Sequence, residues 1–232
     1  MARSFSPLRF FRIVPTQPAL ISWTFAVVVV VGAAAILREP SRSAGAMVPI
    51  LLLQLFGASS GLEVPARRGH YDLLLTSGHR RTWMALVHWA SSIAPGAASW
   101  LVLAAVEAAM DYHNVRLLSF GTIAAMGLVS TLPWAITVRL PRFSGGIGWL
   151  LALAISTSVL SFDVAANPSI DGLAEWLWSA WGFLVYPAGL VGRELSLHQG
   201  LIAAPGLAIA AGAMVAACRW VSRASLPLEA AQ

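Results

Sequence analysis

The chain has 232 residues, of which 58% are hydrophobic and only 11% charged; a soluble domain needs about a quarter of its residues charged to solvate its surface. The formal net charge is +5, and all fifteen cations are arginine. Without a single lysine the chain has no Walker A phosphate loop and no amine for Schiff-base chemistry with pyridoxal or retinal. The arginines are also spread over short loops, unlike the one-faced patch of a nucleic-acid-binding protein.

Residues 1–18 mix Phe5, Leu8, Phe10, Phe11, Ile13 and Val14 with Arg3, Arg9 and Arg12. Apolar groups interleaved with cations suit a segment lying on a membrane surface. No small-residue cleavage site follows, so a retained first helix is expected and not a signal peptide.

Beyond it the uncharged runs are Ile13–Leu37, Ser43–Leu62, Thr82–Val106, Leu117–Val138, Phe143–Phe162, Trp176–Gly192 and Leu195–Cys218. A helix needs about twenty apolar residues to span a bilayer. Six runs meet that length; Trp176–Gly192 is short and holds Pro187 and three glycines. The sequence therefore predicts an all-α integral membrane protein of one domain. It would have six transmembrane helices, an N-terminal interfacial helix and an external re-entrant hairpin over 171–194, before the last span.

Arginine placement sets the orientation, because cationic loops stay on the cytoplasmic side. With both termini inside and the short segment not crossing, eleven of the fifteen arginines are cytoplasmic. If the segment crosses, the split is ten to five.

The longest inside loop is Glu63–Arg81, and it is not a passive connector. Pro65 blocks continuation of the preceding helix. A short helix is predicted from Gly69 to Ser77, with Tyr71, Leu74 and Leu75 on one face. Gly78 ends it, and Arg80 and Arg81 follow where cations suit the negative end of a helix. An apolar face in the cytosol is buried either on the membrane surface or in a groove of a soluble partner.

A helix-ending Glu63, the pair Arg67-Arg68, Gly69, the run Asp72 to Ser77 and then Arg80-Arg81 resemble the cytoplasmic coupling segment of type-2 ABC exporter permeases. The order of segments resembles that family too. Gly78 stands where the family usually has a proline. The resemblance implies that Glu63, Arg67, Arg68 and Gly69 form the approach to the loop and that Tyr71, Asp72, Leu74 and Leu75 belong to the coupling helix. It implies a second permease subunit, identical or different, and separate ATP-binding subunits carrying ATP and Mg. This chain would bind no cofactor itself. It also implies a bacterial inner-membrane location, while spans without a cluster of charge point to a hydrophobic or amphipathic cargo.

The remaining residues carry weaker signals. Glu107, near the outer end of the third span, either marks a transport pathway or faces water. His70, His79, His88, His113 and His198 lack zinc-site spacing, while His88 or His198 suits a hydrogen bond between helices. Gly57 and Gly61 form a Gly-xxx-Gly pair that allows close helix approach. Pro49, Pro95 and Pro133 are expected to kink their helices, leaving carbonyls for neighbouring groups to satisfy. The single cysteine, Cys218, excludes an internal disulfide and reads as a small hydrophobe.

Two other functions fit the composition. A non-catalytic anchor or assembly subunit would use the same loop for docking. An intramembrane enzyme would need paired catalytic groups at membrane depth, and no Glu-Glu, His-x-x-x-His or aspartate pair lies within a span.

Overall fold

The computed structural model describes residues 17–36, 43–59, 80–110, 115–139, 172–177, 191 and 197–223. The described elements are helices: α1 (Gln17–Ile36), α2 (Ser43–Ala58), α3 (Arg81–Met110), a 3-10 turn (Arg116–Leu118), α4 (Phe120–Arg139) and α5 (Leu197–Arg223). Residues 173–177 add a short helical turn. Most of the predicted surface segment 1–18, the loop from Glu63 to His79, the run Phe143–Phe162 and most of 171–194 lie outside the described residues.

Each long element coincides with an uncharged run, and the differences at the ends have local causes. The third run stops before the charge of Glu107, yet α3 continues through it to Met110, because the Glu107 carboxylate is bound inside the molecule by the Leu117 N–H. The fourth run splits: Arg116–Leu118 makes the 3-10 turn and α4 starts at Phe120. Ser119 caps it, accepting the Thr122 N–H at 3.3 Å, the bond a helix N-cap side chain makes. The last run stops before Arg219, but α5 carries on to Arg223; arginines at a helix's carbonyl end are favoured by its dipole.

α3, α4 and the Ala203–Arg223 stretch of α5 are long and apolar enough to cross a bilayer. Shorter apolar stretches, Trp23–Ala34 and Gly45–Ala58, lie in α1 and α2. Phe25, Val27, Val28 and Val31 on α1, Leu101 and Val102 on α3, and Ile209 and Val215 on α5 are exposed. An outer surface this apolar on an all-helical bundle is that of a membrane protein.

α2 packs on α1, α3 and α4, α3 packs also on α1, and α5 packs chiefly on α4 and less on α3. α3 and α4, consecutive in the chain, meet mainly through side chains; α3 packs on α1, α2 and α5, and α4 on α2 and α5. The apolar core falls into two clusters. One includes Val29, Met47, Ile50, Leu51, Leu103, Leu117, Val129 and Val191. The other joins the opposite ends of four helices through Ala58, Met84, Ala85, Trp134, Val138 and Val221, with the free Cys218 half-buried against it.

Candidate functional site

Glu63, Arg67, Arg68, Gly69, Tyr71, Asp72, Leu74 and Leu75 lie outside the described residues. The described parts of the predicted coupling loop are its last two residues, and both define the start of α3. The Arg80 carbonyl accepts the Trp83 N–H at 2.9 Å and the Met84 N–H at 3.4 Å, the first bonds of the helix. Arg80 is exposed and Arg81 half-buried. They therefore stand at the positive end of α3, where the helix dipole disfavours a cation, so helix stability does not account for them.

The loop joins two helices packed against each other in antiparallel fashion. Gly57 on α2 lies so close to the Ser92 carbonyl of α3 that a side chain there would collide with backbone. Nearly one turn away, Gly96 on α3 faces Gln54: any side chain at 96 would strike the amide oxygen and lie 3.2 Å from the Gln54 Cα. Small residues at such positions let helix backbones approach where apolar burial gives no preference for protein over lipid. Ala58 at the end of α2 and Met84 and Ala85 at the start of α3 close the pair.

Between the two apolar clusters, Gln54 also reaches α4. Its Nε2 donates to Ser130 Oγ at 2.6 Å, and that hydroxyl donates to the Met126 carbonyl one turn back. Trp89 on α3 donates its indole N–H to the Ser130 carbonyl at 3.1 Å. Three helices are thus joined by side-chain hydrogen bonds around Gln54 and Ser130, both buried. The Gln54 amide oxygen, pressed toward Gly96, has no donor.

Pro95 in α3 and Pro133 in α4 lie close to this junction. Proline at position i leaves the carbonyl at i−4 without its helical partner and opens the turn around it. Pro133 frees the Val129 carbonyl, and the Ser130 carbonyl next to it accepts the Trp89 indole N–H. Pro95 frees the Ser91 carbonyl, and Gly57 faces the Ser92 carbonyl next to it. In α5, Pro205 frees the Leu201 carbonyl, and the Trp176 indole donates to that oxygen at 3.2 Å. The Leu201 carbonyl is thus a proline-freed group that a neighbouring side chain meets.

The other end of α3 holds a second polar contact. Glu107, 8% exposed, accepts the Leu117 N–H at 2.7 Å. Trp100, two turns earlier on the same face, donates to the Leu117 carbonyl at 2.8 Å. The two peptide groups that flank the Leu117 Cα in the 3-10 turn are therefore both held by α3. Glu107 is buried here rather than water-facing, which its place near the end of an uncharged run did not indicate.

His88 is also buried, and its backbone carbonyl accepts the Ser91 hydroxyl at 2.9 Å. The sequence reading missed Gln54, Trp89 and Ser130. A usable signal was present for the first: Gln54 is a lone amide in the apolar run Met47–Phe56, and a polar side chain at that depth needs a partner.

No known protein family, curated protein or solved structure matches this chain.

Proposed function

We propose that this chain is the membrane subunit of a type-2 ABC exporter, driven by a separate ATP-binding subunit that docks on the loop 63–81. The observation that carries this reading is the Glu63–Arg81 segment, whose residues resemble that family's coupling segment. The fold lends support: the loop connects helices that touch backbone to backbone at Gly57. A push on the loop would therefore be passed to α2 and α3 together, and from there through Gln54 and Trp89 to α4.

The full proposed topology is six spans with a re-entrant segment over 171–194 and both termini cytoplasmic. Arg80, Arg81, Arg139, Arg219 and Arg223 are at or next to helix ends that share one apolar cluster, which favours that end as the cytoplasmic one. A second permease subunit completes the path. A hydrophobic or amphipathic cargo fits spans without clustered charge.

The test is co-purification of the full chain from its native membrane. Tyr71→Ser, Leu74→Ser and Leu75→Ser together should release the ATP-binding subunit and abolish ATPase stimulation while the protein still elutes as one species. Retention of both would show that the loop is not the coupling site. A static anchor would bind through the same loop without moving cargo, so uptake into vesicles with and without ATP separates the two readings.

A further inference from the structure

We propose that the arginine-bearing end of the bundle binds the headgroup of an anionic phospholipid. Four exposed arginines stand there on three helix ends. Arg80 is one turn before Met84 at the start of α3, Arg139 follows Val138 at the end of α4, and Arg219 and Arg223 flank Val221 at the end of α5. Met84, Val138 and Val221 belong to the same buried cluster, which gathers the three ends. The carboxylates among the described residues, Glu107 and Glu175, stand toward the other end: Glu107 holds the 3-10 turn, and Glu175 adjoins Trp176, which bonds near the start of α5.

Two features favour a lipid over an acidic protein. Trp83 and Trp220, 45% and 37% exposed, lie beside Arg80 and Arg219; indole rings with an apolar body and a polar edge settle at the headgroup level of a bilayer. On α5, the exposed positions Ala204, Ala208, Ala211, Val215, Arg219 and Arg223 follow helical spacing. They form one stripe, apolar for most of its length and cationic at its end. An acyl chain laid along the apolar part brings its phosphate to Arg219 and Arg223, one turn apart. Guanidinium groups suit phosphate because they offer paired, permanently charged donors. This inference does not depend on the transport reading.

Native mass spectrometry of the full chain in nonionic detergent tests it, by titration with phosphatidylglycerol and with phosphatidylcholine of the same acyl chains. The expected result is a preference for phosphatidylglycerol of about tenfold or more. Arg139→Gln, Arg219→Gln and Arg223→Gln combined should remove it, while Arg116→Gln at the opposite end should keep it. Should the triple variant fail to elute as a folded species, Arg219→Gln alone on its exposed face should weaken the preference severalfold. Equal binding of the two lipids would overturn the proposal. So would a preference that survives the arginine changes, one lost equally in Arg116→Gln, or one displaced by inorganic phosphate at matched ionic strength. Loss of an acidic protein partner from the triple variant with unchanged lipid preference would also overturn it, making the patch a protein-docking face.

Discussion

α4 and α5 have similar mean hydropathy, and both are long enough to cross a bilayer, but they occupy opposite situations. In α4, 72% of the apolar stretch is buried within the molecule; in α5, 22%. Apolar composition commits a helix to the membrane without choosing its neighbours, because lipid tails are as apolar as leucine. Position in the bundle is decided by fit. α4 sits where Ser130 meets Gln54, where Trp89 reaches the Ser130 carbonyl and where Trp134 fills the space beside Met84 and Val138. α5 offers alanines and arginines on its outer face and meets the bundle along the other side.

The comparison can be broken by substitution, read as unfolding stability in mixed micelles. Trp134→Ala on α4 empties a fully buried site and should cost about 4 kcal/mol. Gly57→Val forces the Ser92 carbonyl away and should cost about 3 kcal/mol. Glu107→Ala leaves the Leu117 N–H without that acceptor and should cost about 2 kcal/mol. Ser130→Ala removes one neutral hydrogen bond between α2 and α4, for about 1 kcal/mol. Ile209→Ala on the outer face of α5 should change stability by less than about 0.5 kcal/mol. A cost at Ile209 matching that at Trp134 would mean that the outer face of α5 packs against protein.

The helices were legible because a bilayer imposes length and apolarity on any span, and uncharged runs record both. Two helices run on past the charge that ends their run. α3 continues through Glu107, whose carboxylate is held by a backbone group ten residues further on. α5 continues through Arg219 to Arg223, and arginine is welcome at the carbonyl end of a helix. A proline within a span frees a carbonyl, but the sequence does not say which groups lie beside it. That Trp89 serves Ser130 and Trp176 serves Leu201 depends on helix neighbours, and no periodicity in one chain records which spans lie side by side. Gln54 and Ser130 are 76 residues apart; Gln54 announced that it needed a partner without saying where. For the proposed coupling residues, Arg80 and Arg81 are located at the start of α3, and Glu63 to Leu75 rest on sequence resemblance.

The most direct test of that assignment places a photoreactive amino acid at Leu74 of the full chain in its native membrane, with Val215 on the outer face of α5 as control. The account predicts that Leu74 captures an ATP-binding protein, that ATP changes the yield, and that Val215 captures no such protein. Crosslinking of Leu74 to lipid alone, or to a protein that does not bind ATP, would contradict it.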